Sequence, residues 1–442
     1  MSILYSKEIP VRHHVDILVV GGGPAGCSAA WAAAKQGANV LLLEGHTCFG
    51  GLGTAGMVPL FMSVGDGEHL LSAGFASGLY KRLYPKMDLN TGIQSEGGSL
   101  AIKAEELKRT YEDILIEMDV PFAFQSQLID VQTYERKIKR AIFAAKSGLF
   151  AVEAKMFVDC TGDGDLCVMA GASYKKGDEN GNMQAGTLCS LWAGINWDKV
   201  EKPDNRELET AIKDNIFAIP DRSLPGMWEI SSIVGGGNIG HLFGVDGTDE
   251  RSLTKAFIRG RKYMREYERY YKEYLCGFEQ MELITTASLL GIRESRRINC
   301  VKTLEVSAYE KRAVFDDEIG RYCYSIDQHP VNNSMEEFEK TYNDFKTSHL
   351  KKGESYGIPF YSLVPVDLDN VLVAGRCIGT DRKMHGSMRV MPGCFISGQA
   401  SGCAAALCSN KGIFPTDLKI PILQKALIDF GAYLPNANVM AK

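Results

Sequence analysis

The residues that most clearly suggest chemistry stand near the start of the chain, in a glycine-rich loop. Residues 16–20 are a short β-branched run typical of a buried parallel strand, and the sequence GGGPAG at 21–26 follows directly. Gly21 permits a tight turn, Gly23 lets the backbone approach a pyrophosphate, and Gly26 lets the next helix pack against the strand. The helix N-terminus then presents its N–H groups to the phosphates. This pattern predicts a dinucleotide site.

A second strand and an acidic residue complete that unit. The alanine-rich segment 29–34 predicts the helix, and residues 39–43 predict the next strand. Glu44 follows this strand, where its carboxylate is placed to accept hydrogen bonds from the adenosine ribose.

Two later segments contain candidates for proton transfer and substrate binding. In KMHGSMR at 383–389, His385 has an intrinsic pKa suited to proton transfer, and Arg389 is suited to pairing with a substrate carboxylate. A purely structural hydrogen bond from His385 to the cofactor or the backbone remains an equal alternative.

The second segment is RESRR at 293–297. If it is helical, Arg293, Arg296 and Arg297 share one face, and two arginines can point into a pocket. An interdomain salt-bridge network is the other interpretation. His241 and His329 are weaker candidates and are expected to be structural.

Further elements must position these side chains. Residues 104–118 predict an amphipathic helix, and the strand candidates 122–131 and 149–158 predict a β-meander. Residues 370–376 predict a buried strand late in the chain, and residues 393–407 predict a helix of small residues.

A change of composition suggests an inserted domain. We expect residues 1–190 and 357–442 to form the cofactor domain and 191–356 to form a substrate or cap domain. The longest helix of that insertion, about 250–275, has five tyrosines at helical spacing, which we expect to serve packing.

Composition favours small-molecule chemistry. The 442 residues carry a formal net charge of -5, with 45% hydrophobic residues, so neither nucleic acid nor a membrane surface is an expected partner. No apolar run is long enough to span a bilayer, and no cleavable leader is evident, so we expect a soluble, cytoplasmic protein. Twelve cysteines without a C-x-x-C pair fit reduced, mostly buried thiols and no metal site.

One glycine motif is misleading. VGGGNIG at 234–240 also satisfies the phosphate-loop pattern, but the HLFGVDG that follows cannot form the long small-residue helix that such a site requires. We therefore expect no second dinucleotide site.

These motifs together resemble the FAD-dependent oxidoreductase family of the glutathione-reductase structural class, related to the flavoproteins of fumarate reductase and succinate dehydrogenase. The resemblance rests on GGGPAG with Glu44, GGLGTAG at 50–56, VDCTGDGDL at 158–166, GIRESRRI at 291–298, and NVLVAGR at 370–376 with GSMRVMPGCFISGQASG at 386–402. It implies an α/β fold: a Rossmann-like FAD-binding domain, made of a parallel sheet with a β-meander, and an inserted α+β cap domain.

The resemblance also implies roles for individual residues. The pyrophosphate would be held by Gly21, Gly23, Pro24, Ala25 and Gly26, the ribose by Glu44, and the adenine by the backbone at Leu128. The flavin side would be lined by Gly50, Gly51, Thr54 and Ala55, and the remaining cofactor contacts would come from Thr161, Gly162, Gly375, Arg376 and Gly393.

Departures from the family pattern qualify these roles. Arg376 stands where many such flavoproteins have an acid that holds the ribityl chain, so a cation near the pyrophosphate is expected instead. The helix that starts near Gly393 should direct its positive end at the flavin. Cys48 lacks the partner that a disulfide reductase needs, and His46 is expected to be a solvated loop residue without a covalent flavin.

The resemblance implies an FAD-dependent dehydrogenase that oxidises a small polar hydroxyl metabolite, with catalytic candidates His385, Arg293 and Arg389. Two alternatives remain open: a fumarate-reductase-like reductase of an activated C=C bond, and a non-catalytic FAD-binding regulatory protein. Expected partners are the substrate and an external electron acceptor or donor, and an oligomer is possible.

Overall fold

The computed structural model describes residues 3–4, 6–89, 99–201, 204–223 and 225–437. The strands of this part are β1 (Val11–Val20), β2 (Val40–Leu43), β3 (Leu60–Phe61), β4 (Leu100–Ala101), β5 (Phe122–Ala123), β6 (Gln127–Tyr134), β7 (Lys137–Ala145), β8 (Gly148–Asp159), β9 (Tyr174–Lys176), β10 (Ser190–Ala193), β11 (Gly226–Ser231), β12 (Val234–Asn238), β13 (Glu282–Thr286), β14 (Arg296–Ile298), β15 (Glu318–Tyr322), β16 (Tyr356–Pro359) and β17 (Val371–Val373). The α-helices are α1 (Pro24–Lys35), α2 (Phe75–Leu83), α3 (Ala104–Glu117), α4 (Asp165–Met169), α5 (Asn205–Lys213), α6 (Glu250–Tyr274), α7 (Val306–Glu310), α8 (Met335–Thr347), α9 (Arg382–Met388), α10 (Met391–Lys411) and α11 (Ile420–Asp429).

The largest sheet combines parallel and antiparallel pairing. Its order is β5-β2-β1-β8-β7-β6, and β17 also pairs with β8. β5, β2, β1, β8 and β17 pair with one another in parallel, whereas β6, β7 and β8 form an antiparallel meander. The predicted α/β class with a Rossmann-like sheet is confirmed.

The register of the parallel strands decides where the site forms. Val20 of β1 pairs with Leu43 of β2 and with Asp159 of β8, and Asp159 also pairs with Val373 of β17. Because parallel strands that end in register leave their following loops at one edge, four loops meet at the carboxyl edge of this sheet.

Two small-residue helices pack directly on one another beside the sheet. A Cβ at Gly398 of α10 would stand 2.2 Å from the carbonyl oxygen of Ala25, and one at Gly402 would stand 2.0 Å from that of Ala29. Only glycine allows the backbones of α1 and α10 to approach this closely. This contact fixes α10, whose N-terminus points to the same edge of the sheet.

A second hydrophobic core lies apart from the first. It contains residues from Leu188 to Ile292 and combines α6 with the antiparallel sheet β11-β12-β10-β13. The tyrosines at 263, 267, 270 and 271 of α6 are buried in it, so the prediction that they serve packing is confirmed. Residues from Ile298 onward pack in the first core.

Two sequence predictions meet different outcomes in this region. The glycines of 234–238 form β12 within the antiparallel sheet, as the expectation of no second phosphate loop required. The shared helical face of Arg293, Arg296 and Arg297 was a wrong prediction. Arg296 and Arg297 belong to β14, which pairs with β9, and a strand directs successive side chains to opposite faces.

All twelve cysteines are free thiols, and Cys276 is exposed. Among the helices in the described ranges, none is both long and apolar enough to cross a membrane.

Candidate active site

A cavity of about 450 Å³ lies at the carboxyl edge of the large sheet. The loops after β1, β2, β8 and β17 contribute to its lining. The sequence-predicted residues that line it are Gly21, Gly23, Pro24, Ala25, Glu44, Gly51, Leu128, Thr161, Gly162, Gly375, Arg376 and Arg389. The fold thus gathers predicted residues from both ends of the chain around one space.

Three of the four glycines of the first loop, Gly21, Gly23 and Gly26, differ in what surrounds them. Gly21 has a φ of +94°, and a Cβ there would stand 2.5 Å from the carbonyl oxygen of Cys160. A Cβ at Gly26 would stand 1.8 Å from the carbonyl oxygen of Gly21, so Gly26 supports the loop from behind. A Cβ at Gly23 would meet nothing within 4 Å. Gly23 therefore faces open space that a phosphate can approach.

Glu44 is held rigidly at the rim of this loop. One carboxylate oxygen accepts a hydrogen bond from the backbone N–H of Gly22 at 2.5 Å. The other accepts one from the backbone N–H of His46 at 2.7 Å. Each carboxylate oxygen has a further lone pair, so Glu44 can still accept from ribose hydroxyls.

The third loop is organised by a buried carboxylate that the sequence reasoning did not single out. Asp159 is fully buried and accepts hydrogen bonds from the N–H and the hydroxyl of Thr161 and from the N–H of Cys167. The hydroxyl of Thr161 in turn accepts from the N–H of Asp165 at 2.9 Å. These bonds fix the conformation of Thr161 and Gly162 at the cavity.

Arg376 connects the late strand to this loop. Its guanidinium donates to the carbonyl of Gly162 at 3.0 Å, to Asp163 at 2.6 Å and to the carbonyl of Ile292. The predicted cation is therefore at the cavity wall. Its donors are already directed at protein acceptors, which positions the loop.

The N-terminus of α10 also reaches the cavity. Met391 and Cys394 of its first turn line the space, next to Arg389. Gly393 lies between them but packs inward, where a Cβ would stand 2.7 Å from the carbonyl oxygen of Met388. The positive end of a long helix therefore faces the cavity.

Seven predicted residues do not line the cavity: Gly26, Gly50, Thr54, Ala55, Gly393, His385 and Arg293. Three of them shape the GGLGTAG loop. Gly50 has a φ of +96°, and the hydroxyl of Thr54 donates to the carbonyl of Phe49 at 2.5 Å. The carbonyl of Ala55 accepts from the N–H groups of Ser288 and Leu289, so this loop also holds the second core in place.

His385 is buried beneath Arg376. Its Nε2 lies 2.9 Å from the carbonyl oxygen of Arg376 and must donate to it, which leaves Nδ1 as a buried acceptor. Burial and the charges of Arg297, Arg389 and Arg376 hold the pKa of His385 well below its usual range. The backbone hydrogen bond that was one of the two expectations for His385 is present.

A chain of acids and imidazoles in contact with one another lies behind Arg389. Arg389 contacts Asp327 at 3.2 Å, Asp327 contacts Nε2 of His329 at 3.3 Å, and Nδ1 of His329 lies 2.7 Å from Nε2 of His241. Nδ1 of His241 contacts the carboxylate of Asp221 at 3.0 Å. His241 and His329 were only weak candidates from sequence, and neither aspartate was a candidate. These groups are distant in the chain and follow no common motif.

Arg293 is a buried cation near the same chain. It donates to the carbonyl of Ala185 at 2.8 Å, to the hydroxyl of Thr187 at 2.6 Å and to the side chain of Asn238 at 3.2 Å, all of them neutral acceptors. Burial and the charge of Arg389 lower the pKa of Arg293 to about 10.

The remaining charges of the RESRR segment form the salt-bridge network that was the other expectation for it. Glu294 is buried and pairs with Arg297 at 2.5 Å and with Arg382 at 3.1 Å. Arg296 pairs with Asp165 at 2.6 Å.

An apolar wall from the second core closes one side of the cavity, and the sequence reasoning missed it. Its residues are Leu253, Phe257, Leu289, Leu290 and Ile292. No local pattern shows which apolar residues of a helix and a loop will face a ligand.

We expect the buried histidines to make stability depend on pH. Burial and Arg293 lower the pKa of His329 from 6.5 to about 3. Between these values the unfolded chain binds a proton that the folded chain does not, so stability is complete above the ordinary value and falls as the pH drops. His385 acts in the same direction. Urea unfolding with saturating FAD should show a lower midpoint at pH 5 than at pH 7.5. The difference should be smaller in His385→Gln, and an unchanged difference would contradict this assignment.

A larger open depression of about 620 Å³ lies elsewhere, on the outer surface of the sheet among His14, Asp16 and Lys137. Its charges pair with one another, for example Lys155 with Asp16 at 2.6 Å. Such pairing is typical of a solvated surface.

Comparison with known proteins places the chain in a family. The sequence profile described as FAD dependent oxidoreductase matches residues 16–427. Among curated proteins, none matches.

Several solved structures are similar in fold. One is the geranylgeranyl bacteriochlorophyll reductase-like protein of Thermoplasma acidophilum, with 12% identity and a TM-score of 0.43 over 95% of this chain and 82% of that one. Another is p-nitrophenol 4-monooxygenase of Pseudomonas putida, with 10% identity and a TM-score of 0.48 over 95% and 85%. A third is a myxobacterial chondrochloren halogenase, with 13% identity and a TM-score of 0.45 over 95% and 78%.

The residues at the cavity fit FAD. Gly23 leaves open the space that a pyrophosphate needs, Glu44 has free lone pairs for a ribose, and the first turn of α10 offers N–H groups for an anionic group. A metal site was not expected, and the described residues contain no group of three or more His, Cys, Asp or Glu side chains placed to hold a metal ion.

Proposed function

Since the chain belongs to the FAD dependent oxidoreductase family, whose profile matches residues 16–427, we propose that it oxidises the hydroxyl carbon of a small polar metabolite. Bound FAD supplies the hydride acceptor. The chain itself must orient the substrate, exclude water and take the hydroxyl proton. The proposal also draws on the resemblance to the fumarate reductase flavoproteins. That resemblance rests on sequence motifs.

The environment of Arg389 carries this proposal. Arg389 lines the cavity next to the first turn of α10. A guanidinium can pair with a substrate carboxylate and donate hydrogen bonds to a hydroxyl oxygen. Nη2 of the same guanidinium donates to Asp327, which fixes its orientation. Arg389 is therefore the residue we assign to substrate binding.

The identity of the electron acceptor is inferred from the glycine-rich segment 234–238. The second glycine-rich sequence forms β12 of an antiparallel sheet. This placement supports an external partner, rather than a nicotinamide bound at that motif, as the acceptor that reoxidises the enzyme.

A second candidate function is reduction of an activated C=C bond. The lowered pKa of Arg293, about 10, favours it, because a guanidinium that loses its proton more easily is a better acid. Arg389 would then bind the substrate carboxylate. Proton transfer by His385 stays a separate prediction, although the pKa of this ring, held well below its usual range, makes it a weak base.

Anaerobic mixing distinguishes the two candidates. We expect sugars or hydroxy acids to bleach the visible flavin band of the purified holoenzyme. Reoxidation of dithionite-reduced enzyme by an enoate, without bleaching by any hydroxy compound, would favour the reductase and contradict the dehydrogenase.

The matched variants are Arg389→Gln and Arg136→Gln. Arg389→Gln should keep its FAD and lose about hundredfold in the rate of bleaching. Arg136 is exposed and pairs with Asp369 at 2.9 Å, away from the cavity, so its variant should bleach at the wild-type rate.

A further inference from the structure

Four side chains form a continuous path that leads away from Arg389. In order from the cavity they are Asp327, His329, His241 and Asp221, and each lies 2.7 to 3.3 Å from the next. A lone buried histidine is commonly structural. Two imidazoles in contact with each other and with a carboxylate at each outer nitrogen require a different explanation.

The number of protons in this path follows from the contacts. Nδ1 of His241 lies within hydrogen-bond distance of Asp221 and must carry a proton if that carboxylate is ionised. Nδ1 of His329 then carries the proton that it donates to Nε2 of His241 at 2.7 Å, because two lone pairs would repel. These two protons suffice for two neutral imidazoles. Nε2 of His329, 3.3 Å from Asp327, is left with a lone pair that can take up a further proton.

The surroundings indicate where that further proton resides. Burial and Arg293 lower the pKa of His329 to about 3, so His329 is neutral and does not itself keep an added proton. Burial by itself would raise the pKa of Asp221, but the charge and hydrogen bond of His241 lower it. The carboxylate of Asp221 thus stabilises a proton that passes to His241.

Other charged and titratable groups face both ends of the path. Asp327 is contacted by Arg389 at 3.2 Å and by the hydroxyl of Tyr324 at 3.2 Å, and Arg293 acts on it electrostatically. Tyr263 and Tyr267 of α6 face Asp221. Burial raises the pKa of both tyrosines, so they stay neutral and leave the proton to the imidazoles.

We propose that Asp327, His329, His241 and Asp221 form a proton relay that takes up the substrate hydroxyl proton beside Arg389. This inference rests on the proposed dehydrogenase. As the C–H hydride leaves to the bound cofactor, the O–H bond breaks and its electron pair forms the C=O bond. The released proton passes through Asp327 and forms an N–H bond at Nε2 of His329, while the Nδ1 proton of His329 moves to Nε2 of His241. The relay thus passes from two protons to three.

Nitrogen NMR of histidine-labelled holoenzyme tests the relay without a substrate. His241 and His329 should share a single titrating proton, and one strongly deshielded proton signal should belong to the contact between the rings. His329→Gln should remove that signal and alter the titration of His241. The isolated pair of His69 and Asp66, 3.2 Å apart, supplies the matched control, because His69→Gln should leave both unchanged. Two rings that titrate independently would overturn the proposal.

Kinetics separate this relay from the proposed function. With a hydroxy compound that bleaches the flavin, His329→Gly should slow bleaching about hundredfold, and added imidazole should restore part of the rate. His241→Gln should shift the pH profile of bleaching. A shared proton with unchanged kinetics in both variants would overturn the catalytic role. If no hydroxy compound bleaches the flavin, the proposed dehydrogenase fails, while the NMR result still decides whether the proton is shared.

Discussion

Replacing Gly23 by valine is expected to abolish FAD binding and to leave the apoprotein folded. The backbone of Gly23 has a φ of -68° and a ψ of -173°, which valine adopts without strain. A Cβ there would meet no protein atom within 4 Å, so the new side chain projects into the space assigned to the pyrophosphate. The measurements are the visible spectrum of the purified protein, FAD titration by fluorescence, and the thermal midpoint of the apoprotein.

The matched control is Gly78→Val. Gly78 lies on the exposed side of α2, and a Cβ there also meets nothing within 4 Å. This variant should remain yellow. A Gly23→Val protein that binds FAD with wild-type affinity would show that the pyrophosphate does not lie at this loop.

Replacing Gly402 by valine is expected to destabilise the first hydrophobic core, in which α1 and α10 pack. Its Cβ would stand 2.0 Å from the carbonyl oxygen of Ala29, and this neighbour is backbone that cannot rotate away. Overpacking in a core typically costs about 1–3 kcal/mol, and we expect the upper end of that range or more because α1 and α10 must separate. Urea unfolding measures the loss.

The effect extends to the site, because α10 also places Met391 and Cys394 at the cavity, next to Arg389. Gly402→Val should therefore lose FAD affinity together with stability, whereas Gly23→Val loses only the affinity. The control Gly78→Val should unfold at or slightly above the wild-type midpoint, since valine is the better helix former. An unfolding midpoint of Gly402→Val equal to that of the wild type would contradict the close helix contact.

The cofactor half of the site could be predicted from sequence because its signals are local. Strand, glycine loop, helix and Glu44 occupy one short stretch. At Gly21 and Gly26 the structure shows why glycine is needed, because a Cβ at either position would clash with backbone atoms. The late strand was visible as a short apolar run before Gly375. Buried tyrosines at helical spacing predicted the packing of α6 in the same way.

The substrate half could not be predicted because it depends on distant pairings. Arg296 and Arg297 read as one face of a helix, but their segment pairs with β9, and no pattern within it reveals this partner. His241 and His329 stand 88 positions apart in the chain and meet at 2.7 Å only in the tertiary structure. The division of the chain at 190 and 356 stays a prediction, as do the external electron partner and an oligomer.

The most direct measurement is the rate of anaerobic flavin bleaching with a hydroxy compound that carries deuterium on the hydroxyl carbon. If the C–H bond of that carbon is broken at the flavin, the deuterated compound should bleach the holoenzyme several times more slowly than its ordinary form. Equal rates would contradict direct hydride transfer from that carbon. Bleaching by dithionite alone, and by no hydroxy compound, would contradict the proposed dehydrogenase as a whole.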